Sequence, residues 1–265
     1  MPRFDVEGFR RLLRTRILGQ TCYDFDVLAS TNASMHALGW RGDPEGTIVL
    51  ADEQTAGRGQ AGRVWISPPR CNLYVSILLR PVIAPAQAPL ISLLAAVALV
   101  DALRREGAVC GIKWPNDVLI RRRKVAGILT EMETHHDAVR FVVVGIGVNV
   151  NMTQEELDDH LGPMAQTATS LRVSLGREIS REGLLAALMG SLEQWYDRFI
   201  IHGGTILQEA WEARSAMHGR RISAQTTGAT WEGSTEGIDH TGRLQLRQDD
   251  GTLVTLTSAE VRFLD

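Results

Sequence analysis

The sequence predicts one large domain of mixed helices and strands, followed by a small all-β unit. Helical apolar spacing and β-branched runs alternate through the first 217 residues. From His218 to Asp265 the chain changes to short strands broken by Gly228, Gly233, Gly237, Gly242 and Gly251, the pattern of a small β-barrel. Between two strand-like segments lies a stretch of glycines and arginines, Gln54 to Trp65. A boundary is expected near residue 217, giving domains over 1–217 and 218–265.

The elements follow in order. Val6 to Leu18 carries Leu12, Leu13 and Ile17 on one helical face. Ser30 or Thr31 can cap a helix over Ala33 to Leu38. Thr47 to Ala51 reads as a buried strand, and Pro68-Pro69 forbids a helix after the glycine stretch. Asn72 to Arg80 is a strand, Leu90 to Arg105 an apolar helix and Cys110 to Trp114 a short strand. Asp117–Ile120 and Val125–Glu131 form a hairpin with Arg121, Arg122, Arg123 and Lys124 at its turn. Val139 to Asn151 is a central strand, and Thr169 to Gly176 a short helix. Ser180 to Phe199 keeps helical spacing from Leu184 to Phe199, and another helix covers Ile206 to Met217.

Composition narrows the function. The chain has 265 residues, 44% of them hydrophobic and 22% charged, as in ordinary globular proteins. A net charge of −3 provides no global basic field for nucleic acid. Residues 1–20 are too short for a helix-turn-helix domain. Cys22, Cys71 and Cys110 are scattered, without metal-ligand spacing, and read as reduced packing residues. No apolar run reaches the ~18 residues that span a membrane, and no signal peptide is legible. A cytoplasmic protein that binds neither DNA nor membrane is expected.

Gly57-x-Gly59-x-x-Gly62 spells a dinucleotide-binding fingerprint, but its context fails. No helix follows, and no acidic residue stands between Glu53 and Asp101 to hold a ribose. A P-loop would need Lys then Ser or Thr where Arg63 and Val64 stand. A structural turn is the bland alternative. Arg58 and Arg63 among three glycines suit a loop folded over an anion better.

Other stretches can carry chemistry. In Lys113-Trp114-Pro115-Asn116-Asp117, the carboxylate can orient a lysine, help hold Mg²⁺, or simply cap a turn. Arg121, Arg122 and Arg123 read as a solvated hairpin tip. Lys124 begins an apolar strand and can extend its ammonium into a site, with Gly127 allowing close approach of a ligand. Asn149 and Asn151 end the most apolar strand, as caps or as readers of a base or ribose. Ser30-Thr31-Asn32 offers hydroxyls and an amide, or only a helix cap. His135-His136 reads as a solvated turn.

Taken together, these stretches resemble the biotin protein ligase family. Ser30-Thr31-Asn32 is similar to its early S-T-N, Gln54 to Trp65 to its Q-x-A-G-R-G-R-x-G-R-x-W loop, and Lys113 to Asp117 to K-W-P-N-D. Lys124 to Glu131 resembles K-x-A-G-I-L-x-E and Gly145 to Asn149 resembles G-I-G-x-N; Ala168 to Leu171 and Ala259 to Val261 fit later landmarks. One position departs: Gln60 stands where the family usually has an arginine that helps hold the activated intermediate. Gln60 keeps hydrogen bonding without the charge, so weaker retention is expected.

The resemblance implies an α+β catalytic domain with a mixed sheet, similar to class II aminoacyl-tRNA synthetases, and a C-terminal SH3-like barrel. It implies attack of the biotin carboxylate on the α-phosphorus of MgATP, then transfer of biotin to a lysine of a biotin carboxyl carrier protein. Lys124, Arg58 and Arg63 are the implied catalytic cations. Biotin is assigned to Ser30, Thr31, Asn32, Gln54, Arg58, Gly59, Gln60, Lys124, Gly127 and Leu129. ATP is assigned to Arg58, Arg63, Trp65, Lys113, Asn116, Asp117, Lys124 and Asn149, with Asp117 a candidate ligand of Mg²⁺. The glycine loop is expected to close over the anhydride and exclude water. Some relatives dimerise through a sheet edge, so a homodimer is admitted. A lipoate ligase would carry an R-R-x-x-G-G-G motif, which is absent; a non-catalytic sensor is the rival from another class.

Overall fold

The computed structural model describes residues 2–264. Its first helix, α1, covers Val6–Leu12, capped by the Asp5 side chain. It stops short of the expected Leu18. The Glu193 carboxylate accepts the backbone N–H groups of Arg16, Ile17 and Leu18 at 2.8, 2.8 and 3.0 Å, and this replaces helical bonding there. Burial would raise the Glu193 pKa, but those three donors outweigh it and hold the carboxyl below its ordinary range.

Strand β1, Cys22–Leu28, was not foreseen. It is an edge strand whose burial does not alternate, with Asp24 and Asp26 in its middle. Helix α2, Thr31–Arg41, crosses from it to β2, Ile48–Gln54, which runs parallel to β1. Gly42, at φ +95°, ends α2 in the left-handed conformation glycine adopts most readily. Strand β3, Leu73–Leu79, is buried at every position. Helix α3 covers Pro89–Arg105. Strands β4 (Cys110–Lys113), β5 (Asp117–Ile120), β6 (Arg123–His135) and β7 (Ala138–Val148) complete a seven-stranded sheet in the order β1-β2-β3-β7-β6-β5-β4. Only β1 and β2 are parallel in it, so the sheet is mixed as expected.

Helices α4 (Gln154–Leu161), α5 (Leu171–Leu175), α6 (Arg181–His202) and α7 (Thr205–Glu212) follow. Helices α3 and α6 pack together beneath the sheet, and their apolar residues form the main core with the lower faces of β2, β3, β6 and β7. By length and composition Pro85–Arg105 would suffice to cross a membrane, contrary to the reading from apolar runs. Its apolar side chains, Leu94 to Val100 among them, are instead fully covered by protein. Truncating such a leucine costs about 2–5 kcal/mol. Burial also pushes the thiols of Cys22, Cys71 and Cys110 up to about 11, as suits packing residues.

The last part of the chain forms β8 (Arg221–Gln225), β9 (Thr230–Ile238), β10 (Leu244–Arg247), β11 (Leu253–Leu256) and β12 (Glu260–Phe263). They make an antiparallel sheet in the order β11-β10-β9-β8-β12. Trp114 ties it to the large sheet by donating from Nε1 to the Gly242 carbonyl at 3.0 Å.

Candidate active site

A cleft of about 440 Å³ opens on the face of the large sheet opposite α3. All the residues assigned to biotin or ATP line it: Ser30, Thr31, Asn32, Gln54, Arg58, Gly59, Gln60, Arg63, Trp65, Lys113, Asn116, Asp117, Lys124, Gly127, Leu129 and Asn149.

One end is a polar network at the start of α2. The Gln54 carboxamide oxygen accepts from the Thr31 backbone N–H at 2.8 Å and from its hydroxyl at 3.1 Å, while its NH₂ donates to Ser67 at 3.0 Å. Asn32 accepts from the Ser76 hydroxyl at 2.6 Å and donates to the Leu129 carbonyl and the Glu131 carboxylate at 3.2 and 2.7 Å. A Cβ on Gly145 would lie 2.0 Å from Asn32 Oδ1, so glycine is what admits this amide. Arg58 pairs with the same Glu131 carboxylate.

The glycine stretch is a narrow strap rather than the start of a helix. Trp65 N–H donates to Gly57 at 2.9 Å, Gly59 N–H to Arg63 at 2.6 Å, and Gln60–Gly62 makes one tight turn at the tip. The strap inserts Trp65 into the cleft against β7. A Cβ on Gly147 would sit 2.5 Å from its indole, and Trp65 Nε1 is buried without a partner among the described residues. Arg63 lines the cleft but is exposed, its Nε donating to the Gln60 carbonyl at 3.2 Å.

Lys124 stands mid-cleft. Its ammonium lies 2.5 Å from Asp117 Oδ1 and 5.3 Å from the centre of the Trp65 ring. A β-bulge puts it there. Asp117, Val118 and Leu119 pair with Gly127, Ala126 and Lys124, so Val125 is an extra residue. Val125 and Ala126 are both buried, and the phase shift brings Lys124 onto the cleft face with Gly127 and Leu129.

The far end is cationic. Burial lowers the Lys113 pKa; nearby Asp117 and Glu260 oppose this, and Lys124 and Arg63 reinforce it. Asn116 is half of a clasp on β6: its side chain donates to the Ile128 carbonyl at 2.6 Å, and its carbonyl accepts from Ile128 N–H at 3.0 Å. Asn149 donates its amide to the Thr169 carbonyl at 3.1 Å, so it fastens two segments of the wall as well as facing the cleft.

Two features escaped sequence reading. Glu131 was legible only as a motif landmark, yet it joins Asn32 to Arg58. Arg122, read as solvated, lines the cleft, and so do Arg262 and Phe263 of β12. Asp117, the candidate ligand of Mg²⁺, stands in the cleft beside Lys124. No group of three His, Cys, Asp or Glu residues among those described can hold a metal, and Asp117 is engaged with Lys124.

Comparison with known proteins decides the family. The biotin/lipoate A/B protein ligase family matches residues 25–149, and the biotin protein ligase C terminal domain matches 217–264. The biotin–[acetyl-CoA-carboxylase] ligase of Paracoccus denitrificans is 39% identical over 221 residues, covering 81% of this chain and 89% of its own. The chain belongs to the biotin protein ligase family. The bifunctional ligase/repressor BirA of Bacillus subtilis is 40% identical, over 95% of this chain and 76% of that protein. The Aquifex aeolicus biotin protein ligase in complex with biotin and ATP superposes with a TM-score of 0.77 at 25% identity, covering 92% of this chain and 99% of that one. As a biotin protein ligase, the chain has the expected class II synthetase-like mixed sheet followed by a C-terminal β unit.

Proposed function

We propose that this cleft binds biotin at its Thr31–Gln54 end and ATP toward Lys113, with the chemistry at Lys124. The protein is an ATP-dependent biotin ligase: it activates biotin as biotinyl-5′-AMP and transfers it to a carboxylase lysine. The position of Lys124 carries the site assignment, on the cleft floor between the neutral polar end and the cationic end.

The first step brings two anions together. A carboxylate oxygen bonds to the α-phosphorus, and the bond to the bridging oxygen breaks, with pyrophosphate taking the electron pair. Cations have to offset the repulsion and stabilise charge growing on the α-phosphoryl oxygens. Lys124 is assigned to both anions, with Asp117 orienting its ammonium. Arg58 and Arg63 are assigned to the phosphates; for Arg58 this means exchanging Glu131 for the ligand. Trp65 and Asn149 are assigned to the adenosine side. Mg²⁺ enters as part of MgATP, and no resident metal site is proposed. In the second step the carrier's lysine nitrogen, as free amine, bonds to the acyl carbon. AMP leaves with the C–O electron pair, and the nitrogen gives up a proton.

The neutral, polar ureido ring of biotin suits the amides and hydroxyls of Thr31, Asn32 and Gln54, which are already hydrogen-bonded to one another. A strap closed over the anhydride, with Trp65 beneath it, would limit hydrolysis. We further place the division of the chain into 1–217 and an SH3-like 218–265, and the protein in the cytoplasm. Incubation with biotin, MgATP and a carrier domain, followed by a streptavidin blot, tests the reading. Labelling that needs both small molecules is expected, and labelling absent under all conditions overturns it.

A further inference from the structure

We infer that the hairpin tip between β5 and β6, together with strand β12, forms the seat of the leaving pyrophosphate, with Arg122 and Arg262 its added cations. The inference rests on the biotin ligase reading of the cleft.

Direction comes from the chemistry. In-line displacement puts the leaving pyrophosphate on the side of the α-phosphorus away from the attacking carboxylate. Biotin is assigned to the α2 and β2 side, and its carboxylate to Lys124 on β6. The line therefore continues across β5 toward β4, the opposite edge of the sheet. Lys113 lines the cleft at that edge with Glu260 of β12 near it, and Arg122 and Arg262 line the cleft as well, Arg122 past the other end of β5. The Arg122 guanidinium lies 5.6 Å from the centre of the Phe263 ring, so the tip meets the C-terminal sheet over the cleft. Glu260 is the carboxylate among these groups, within hydrogen-bonding reach of Arg262 at 3.2 Å.

The turn supplies a second argument. Arg121 and Arg122 have φ of +48° and +67°. Such two-residue hairpin turns favour Asn-Gly, because both central residues need positive φ. Two arginines there carry backbone strain that a purely structural turn would shed. The Arg122 side chain, which lines the cleft, gives the turn a role that the backbone geometry does not.

The full-length enzyme is compared with the Arg122→Ser, Arg262→Ser and Arg121→Asn/Arg122→Gly variants. Three readouts are measured: KM for ATP in biotin-dependent pyrophosphate exchange, KM for pyrophosphate in the reverse reaction, and biotin transfer from synthetic biotinyl-5′-AMP to a carrier domain. Loss of one charge-assisted contact should raise both KM values about 10-fold. KM for biotin and transfer from the adenylate should stay unchanged. The Asn-Gly variant should show the same KM defects while melting a few degrees higher, a combination that lost folding cannot produce. Unchanged KM values for ATP and pyrophosphate overturn the proposal. So does a defect confined to transfer from the adenylate, which would mark the tip as a carrier-docking surface. A wild-type enzyme without any biotin-dependent exchange would instead refute the ligase reading itself.

Discussion

Replacing Lys124 with alanine tests the centre of the cleft most directly. In the first step its ammonium faces two anions, the biotin carboxylate and the α-phosphate. One charge-assisted hydrogen bond to each contributes roughly 1.5–3 kcal/mol. Removing both costs roughly 3–6 kcal/mol, or ~10²–10⁴ in kcat/KM. The fold should tolerate the change. The Lys124 side chain is 35% exposed and that of Asp117 20%, so solvent screens their ion pair and its loss costs within about 1 kcal/mol. The cation–π contact with Trp65 adds about 0.5–1 kcal/mol. A drop in Tm of about 5 °C or less follows for a domain of this size. Biotin-dependent pyrophosphate exchange measures the activity, and calorimetry the fold. A folded variant with exchange within threefold of wild type would refute the role given to Lys124.

Three further perturbations probe its neighbours. Gly147→Ala puts a methyl 2.5 Å from the Trp65 indole; we expect a stability loss of about 1–3 kcal/mol and higher KM values for both substrates, checked by melting and steady-state kinetics. Gln60→Arg restores a cation at the strap's tip, and one added charge-assisted bond should lengthen the lifetime of bound biotinyl-5′-AMP by about 10- to 100-fold in a rapid-filtration chase; an unchanged lifetime would remove Gln60 from the retention argument. Burial holds the Lys113 pKa below that of an ordinary lysine, so its charge fades before the usual lysine range is reached. KM for ATP should therefore climb on the alkaline side, and Lys113→Met should flatten that limb. The unfolded chain binds the extra proton in that window, so this group's effect on stability rises with pH and unfolding cannot mimic the result.

Legibility varied with the kind of signal each segment carries. Helices α3 and α6 announce themselves by apolar periodicity, and the structure places both in the core. Strand β1 carries the other kind of pattern, Tyr23, Phe25 and Val27 alternating with Asp24 and Asp26, but as an edge strand its burial does not follow that alternation. Helix α4 is an acidic eight-residue helix with Leu157 as its buried residue, too little for a periodic signal, although Thr153 and Glu156 spell a capping box. Helix α1 ends early through Glu193, a partner about 180 positions away. The site was legible as types of residue and not as connections. Glu131 shows this: nothing local in the sequence says that it reaches both Asn32 and Arg58.

The bulge at Val125 explains why the central lysine could be named but not oriented by pattern. Strict alternation along β6 puts Lys124 on the face of Ala126 and Ile128, which are buried against the core. An ammonium there would be buried without a carboxylate, at a prohibitive cost. The extra residue reverses the phase between Lys124 and Ala126, so the lysine joins Gly127 and Leu129 on the cleft face while Val125 and Ala126 stay inside. The same register sets Asp117 opposite Gly127, a residue without a side chain, which leaves the carboxylate room to meet the lysine at 2.5 Å. One irregularity of pairing thus aims the cation, and one absent side chain admits its partner. Both lie within a strand whose Val125, Ala126 and Ile128 are packed into the core.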